Sequence, residues 1–219
     1  MNGREFVAEM SATLWDLLSV RDTALEGVKE AAGRADIPQL LRGALRAEMD
    51  AAEIAALWMP STPEVEARIA LARQAGDEAR HYMLVEARLA ELGADLVGFA
   101  PHSGERSKLF RYLSALGSTV ERVAAGQFTR EAIGYKSNQL FIAFCEEAGD
   151  QATARIYLEQ IQPDEKHHHE WGKRLLEQLA TTAEAQAKAR KAIITTLDLA
   201  EELRSVAAGH LLVETLPGC

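Results

Sequence analysis

Cysteine is scarce in this 219-residue sequence, which has only Cys145 and the last residue, Cys219. Two cysteines so far apart can build neither a disulfide framework nor a CxxC metal clip. A chain without such a framework is typical of a reducing compartment. We therefore expect a cytoplasmic protein whose core is held by packing.

Long apolar runs and an excess of positive charge are also lacking. No run approaches the ~20 apolar residues that span a bilayer, and the first ten residues carry charges where a signal peptide needs an apolar core. The formal net charge is −9, which disfavours a nucleic-acid backbone or an anionic membrane as partner. We expect no membrane among its partners; a nucleic acid is disfavoured, although a local basic patch that binds a tRNA substrate is compatible with this net charge.

Runs of β-branched residues are few, whereas alanine, leucine, glutamate and arginine dominate a sequence that is 47% hydrophobic. This composition predicts an all-α protein. No linker divides the chain, so we predict one domain over residues 1–219. Its core should be a bundle of four helices within residues 37–180, with further helices added at the N- and C-terminal ends.

Helical periodicity extends through most of the chain, and Gly and Pro residues mark the ends of the segments. The predicted helices cover residues 5–20, 37–59, 63–92, 109–148 with a break near 117–118, 152–180 and 183–208. Ser61 and Glu64 resemble a capping box, with Pro63 in the first turn of the next helix. Residues 97–106 form the predicted long crossover between two helical hairpins, a connectivity found in ferritin-like bundles.

Two nearly identical strings lie in the second helix of each predicted hairpin: DEARH at residues 77–81 and DEKHH at residues 164–168. Positions i and i+3 of a helix share one face, so the glutamate and the last histidine of each string can reach the same metal ion. The matching pairs are Glu78 with His81 and Glu165 with His168. One such pair is weak evidence of a metal site, whereas two in equivalent places predict one.

A di-metal bundle also needs one carboxylate from each of the two remaining helices. Glu131 lies about 18 residues before the turn at Gly149, and the second DExxH string lies about as far after it. In the first hairpin, Glu48 lies about 12 residues before Pro60, which leaves an offset of about 7 Å from the first string at the helical rise. Glu48 and Glu131 are therefore the predicted third and fourth carboxylates.

The two halves of the sequence resemble the E-x(28–37)-D-E-x-R-H signature of the ferritin-like di-iron carboxylate superfamily. Glu48 and Glu131 open the two copies, and His167 stands where the second copy usually has arginine. The resemblance implies six metal ligands: Glu48, Glu78, His81, Glu131, Glu165 and His168. It also implies that Glu78 and Glu165 bridge the two ions. The aspartates before them, Asp77 and Asp164, are expected to accept hydrogen bonds from the ligating histidines across the bundle.

Four carboxylates and two imidazoles suit two iron ions, and they would accept manganese or a mixed pair. An aspartate before both ExxH pairs is more similar to the hydroxylase, epoxygenase and desaturase branches than to ferritins. The resemblance thus implies a dioxygen-activating oxidoreductase with an electron donor, a small-molecule or carrier-bound substrate, and a homodimer as its possible assembly. Iron storage, rubrerythrin-like peroxide removal and a non-enzymatic helical module with a structural metal site remain alternatives.

Overall fold

The protein is described by a computed structural model covering residues 1–29, 36–101 and 104–211, with the side chains of 20–29 and 206–211 left out of the description. Within these ranges the secondary structure is helical and contains no strand, which confirms the predicted all-α class. The α-helices are α1 (Gly3–Lys29), α2 (Ile37–Trp58), α3 (Val65–Glu91), α4 (Lys108–Ser114), α5 (Thr119–Val123), α6 (Glu131–Glu147), α7 (Gln151–Ile156), α8 (Gln162–Leu179) and α9 (Ala183–Leu211).

Four helical lines form the bundle, as predicted. The first hairpin joins α2 to α3 through a short 3-10 helix, Met59–Ser61. The second hairpin turns at Gly149, whose φ of 81° lies in the left-handed region that glycine adopts most readily. Its first line is α5 and α6 joined by a π-helix, Ala124–Arg130, and its second is α7 and α8 joined by another, Tyr157–Ile161.

The predicted capping box at the first turn is wrong. The N-cap of α3 is Glu64, so Pro63 lies before the helix and not in its first turn. Ser61 Oγ instead donates to the Trp58 carbonyl at 3.3 Å, and Glu64 accepts a hydrogen bond of 2.5 Å from Thr119 Oγ1 in the second hairpin. Glu64 contacts the second hairpin instead of capping its own helix, and the spacing of residues in the sequence does not reveal such a contact.

The other segment boundaries differ mainly at the chain's outer helices. The predicted first helix, 5–20, extends in the structure from Gly3 to Lys29. The predicted break near residues 117–118 is confirmed, because α4 ends at Ser114 and α5 begins at Thr119. A capping box does occur there, between Ser118 and Glu121. The predicted crossover, 97–106, includes residues 102–103, which lie outside the described ranges.

The buried apolar side chains divide into two clusters. One contains Trp58, Leu71, Phe128 and Leu175 together with residues of α1 and α9, and the other contains residues of α2, α3, α6 and α8's preceding π-helix. Members of the second cluster include Leu41, Leu45, Val85, Phe141, Tyr157 and Ile161. Along three of the four lines of the bundle, the predicted metal ligands lie between these clusters, and on the fourth line Glu131 lies between Phe128 and Ala132 at the edge of the first cluster. A polar layer is thereby closed off by apolar packing on both sides. Every helix in the described ranges is either too short or too polar to span a lipid bilayer.

Candidate metal centre

The six predicted ligands converge in this polar layer, and each is at most 1% exposed. Their donor atoms fall into two overlapping groups, and the atoms within each group lie within 4.8 Å of one another. The first group is Glu48, Glu78, His81 and Glu165, and the second is Glu78, Glu131, Glu165 and His168. Because Glu78 and Glu165 belong to both, the arrangement provides two adjacent places for an ion with two shared carboxylates.

His81 turns one ring nitrogen towards the first group. Its Nδ1 lies 3.1 Å from Glu78 Oε2, 3.5 Å from Glu48 Oε2 and 3.7 Å from Glu165 Oε1. The three carboxylates come from three different helices, whereas His81 and Glu78 are three residues apart on α3. The i, i+3 spacing thus places the histidine and the shared carboxylate on the inner face of one helix.

His168 takes the equivalent place in the second group. Its Nδ1 lies 3.3 Å from Glu131 Oε2 and 3.5 Å from Glu78 Oε1. Glu131 is the first residue of α6, directly after the Ala124–Arg130 π-helix. A π-turn fits one additional residue into a helix, so this segment sets which side chains of α6 face the bundle interior.

The two aspartates of the DExxH strings contact the histidines crosswise. Asp77 on α3 lies 3.0 Å from Nε2 of His168 on α8, and Asp164 on α8 lies 3.3 Å from Nε2 of His81 on α3. An Nε2–H donating to a carboxylate leaves Nδ1 as the acceptor nitrogen, which is the atom that each histidine turns towards the glutamates. This is the crosswise contact that the sequence predicted for Asp77 and Asp164.

Arginines complete the outer shell on one side. Arg80 makes a short ion pair with Asp164, and Arg73 lies 3.2 Å from Asp77 and 3.9 Å from Asp164. His167, which replaces the arginine expected in the second string, instead packs its ring 5.2 Å from that of Trp171. The two halves of the site therefore present the same types of residue to the interior. They differ in the residue before the last histidine of each string, which is Arg80 in one half and His167 in the other.

Electrostatics within the cluster are strongly coupled. Burial raises the pKa of Glu48 to about 7, and burial together with the charges of Glu78 and Glu131 raises the pKa of Glu165 well above its ordinary value. Burial lowers the pKa of His81, but its interactions with the nearby carboxylates of Glu48 and Glu78 outweigh burial and bring the pKa to about 11. Four carboxylates held this closely need compensating positive charge, which protons or cations can supply.

The carboxylate oxygens also test whether a metal ion fits. Within the described part of the chain, three carboxylate oxygens of the site have no hydrogen-bond partner of normal geometry: both oxygens of Glu48 and Oε1 of Glu78. Such buried acceptors are costly unless a donor or a cation satisfies them. These oxygens lie among the other candidate ligand atoms of the two groups. Both the donor types and their unsatisfied oxygens fit divalent cations.

Sequence reasoning missed one polar residue of this layer, Gln74. Its side chain is 4% exposed, and Nε2 donates to Glu131 Oε1 at 2.5 Å across the bundle. Gln74 lies four residues before Glu78, so the helical repeat places it on the same inner face of α3. That spacing was a usable signal, but a glutamine in an otherwise amphipathic helix does not by itself indicate a buried contact.

A family model described as "Protein of unknown function (DUF455)" matches residues 44–207, which include all six predicted ligands. No curated protein and no solved structure matches the sequence.

Proposed function

The chain belongs to the DUF455 family, and we propose that it is a ferritin-like di-metal oxidoreductase that uses dioxygen. The observation that carries this proposal is the pair of overlapping ligand groups with Glu78 and Glu165 in common. A site for a single ion would not need a second group of ligands. A network of structural ion pairs would not leave buried carboxylate oxygens without hydrogen-bond partners. Two shared and two unshared carboxylates, with one histidine for each place, match the donor set of di-metal carboxylate bundles.

Iron is the proposed metal, and manganese fits the same donors. Carboxylate oxygen and imidazole nitrogen bind both ions, whereas the described site offers no thiolate that would select zinc or copper. Four ionised glutamates would balance two divalent ions, which makes the burial of so much charge tolerable. Glu48 and His81 would hold one ion, Glu131 and His168 the other, and Glu78 and Glu165 both.

Two iron ions bound here would supply two electrons to dioxygen and the Lewis acidity that assists its reduction. The protein's own residues position and shield them. Asp77 and Asp164 fix the ring orientation of the two histidines and hold the proton on Nε2. The apolar clusters on both sides of the layer exclude bulk water, so the charges interact in a medium of low polarity. An external electron donor and an organic substrate belong to this proposal as partners.

The first experiment measures metal content and oxygen consumption together. The purified protein is loaded anaerobically with Fe²⁺, freed of excess metal, and exposed to dioxygen in an oxygen electrode. We expect two iron ions per chain and oxygen uptake in proportion to the bound iron. The Glu78→Gln variant should bind less than the full complement, because a shared ligand is lost to both ions. Glu66→Gln, an exposed substitution on the same helix, serves as the matched control.

Each outcome bears on a separate part of the proposal. If Glu78→Gln retained two iron ions per chain, the ligand assignment would be wrong. If the parent protein bound two ions yet consumed no oxygen beyond an equal amount of free Fe²⁺, the metals would be a structural staple. A hollow oligomer in size-exclusion chromatography, accumulating many more than two iron atoms per chain, would indicate iron storage instead.

A further inference from the structure

Gln74 breaks the symmetry between the two halves of the site. Its amide donates to Glu131 Oε1 at 2.5 Å, and Gln74 is only 4% exposed. This hydrogen bond fixes Oε1 of Glu131. The other carboxylate oxygen, Oε2, lies 3.3 Å from His168 Nδ1. One of the unshared carboxylates is thus already oriented by the protein.

The equivalent position in the other half carries no donor. Gln74 lies four residues before the shared Glu78, and the residue four before the shared Glu165 is Ile161. Ile161 is fully buried in the apolar cluster that includes Leu41 and Leu45 of α2, the helix that bears Glu48. Among the residues that the structure describes, none hydrogen-bonds to either Glu48 oxygen, and His81 Nδ1 approaches only to 3.5 Å.

The histidines differ in the same sense. His168 Nε2 lies 3.0 Å from Asp77, whereas His81 Nε2 lies 3.3 Å from Asp164. In both pairs the aspartate Oδ2 is also shared with a guanidinium: Arg80 makes a short ion pair with Asp164 Oδ2, and Arg73 lies farther from Asp77 Oδ2, at 3.2 Å. The carboxylate that a guanidinium holds more closely is the weaker acceptor for its histidine, so Nδ1 of His81 is the less basic ligand. Both differences favour the half that contains Glu131.

We propose that Gln74 is a positioning residue that makes the two metal positions unequal, so that the Glu131–His168 position fills first and the Glu48–His81 position second. This inference rests on the proposed di-metal function. A hydrogen bond already fixes the carboxylate of Glu131, whereas no hydrogen bond from a described residue fixes that of Glu48, so binding an ion costs Glu48 more side-chain freedom. Loss of such a supporting hydrogen bond typically weakens metal binding about 10–100-fold.

The test is a titration of the metal-free 219-residue protein with Mn²⁺, with free Mn²⁺ followed by electron paramagnetic resonance. The parent should bind two ions in two resolvable steps. Gln74→Met keeps the length of the side chain and removes the donor, so it should weaken the first step about 10–100-fold. The matched control is Ile161→Met, which alters the equivalent position without removing a donor and should leave both steps unchanged.

A measurement without any substitution keeps the inference testable should Gln74→Met fail to fold. Crystals of the parent protein grown with one equivalent of Mn²⁺ should show an anomalous diffraction peak beside Glu131 and His168. Equal peaks at both positions, or a stronger peak beside Glu48, would overturn the inference. So would a first step that Gln74→Met leaves unchanged. A parent protein that binds no Mn²⁺ and no Fe²⁺ would instead refute the proposed function itself.

Discussion

Replacing the shared carboxylate Glu165 by glutamine should change stability in opposite directions with and without metal. Glu165 is fully buried, and burial together with the charges of Glu78 and Glu131 raises its pKa well above the ordinary value. A raised carboxyl pKa means that the folded state disfavours the ionised form at neutral pH, which opposes folding. Glutamine preserves the shape of the side chain and removes this unfavourable term. The metal-free variant should therefore be as stable as the parent or more stable.

With metal, the expected sign reverses. A ligand that binds only the folded state adds about 2.7 kcal/mol of stability at a free concentration one hundred times its Kd. For a chain of this size 1 kcal/mol corresponds to about 2–4 °C in Tm, so the parent should gain about 5–11 °C. Glu165→Gln removes one oxygen ligand from both positions and should lose most of that gain.

The assay is thermal unfolding followed by circular dichroism, once in EDTA and once in excess Mn²⁺, for the parent, Glu165→Gln and the exposed control Glu66→Gln. An equal Mn²⁺-induced shift in parent and Glu165→Gln would refute the role of Glu165 as a shared ligand. A metal-free Glu165→Gln variant about 3–5 kcal/mol less stable than the parent would show that the carboxylate is one partner of a buried ion pair. The site would then be a structural network.

Two further predictions concern the scaffold. Gly172→Ala should destabilise the protein by about 1–3 kcal/mol in urea unfolding, because a Cβ there would meet the backbone carbon of Gln127 at 2.6 Å. Gly76→Ala should instead stabilise α3 by about 1 kcal/mol, because a Cβ at that position meets no described atom within 4 Å. Equal effects of the two substitutions on the free energy of unfolding would contradict this packing. Asp150→Ala should cost about 1–2 kcal/mol at pH 7, since Asp150 caps α7 and lies 2.8 Å from Arg88. Burial raises the pKa of Asp150, but hydrogen bonds and the Arg88 charge outweigh burial and lower the pKa. The stability difference between the parent and Asp150→Ala should therefore be full above about pH 4 and disappear as acid protonates the folded carboxylate. A stability difference that persisted in acid would assign the effect of the substitution to packing.

The candidate site could be predicted from sequence because its chemistry repeats. Two DExxH strings fix four inward side chains through the helical period alone. The remaining glutamates, Glu48 and Glu131, required a count of residues from each turn, and the structure brings both to the predicted level. Periodicity and spacing were sufficient because every group involved lies on a regular stretch of helix near the middle of the bundle.

The contacts that differ between the two halves could not be predicted in this way. Gln74 and Ile161 occupy equivalent positions, but only the packed bundle shows that the amide reaches Glu131. The Tyr157–Ile161 π-helix ends two residues before Pro163, a residue type that signals an irregular helix but does not determine the form of the irregularity. The Ala124–Arg130 π-helix had no such signal. Both depend on how neighbouring helices pack, and helix propensity does not record that.

The geometry of the first turn explains why Glu48 lies close to Glu78 although the residue count places the two at different depths. Counted from Pro60, Glu48 and the first DExxH string differed in depth by about 7 Å. In the structure α2 ends at Trp58, a 3-10 helix covers Met59–Ser61, and α3 begins only at Val65, so the intervening residues do not continue the α-helical rise along the bundle. Counted from the helix ends, Glu48 lies 10 residues before Trp58 and Glu78 lies 13 after Val65. The mismatch falls to about 4.5 Å, a distance that the length of two glutamate side chains can span.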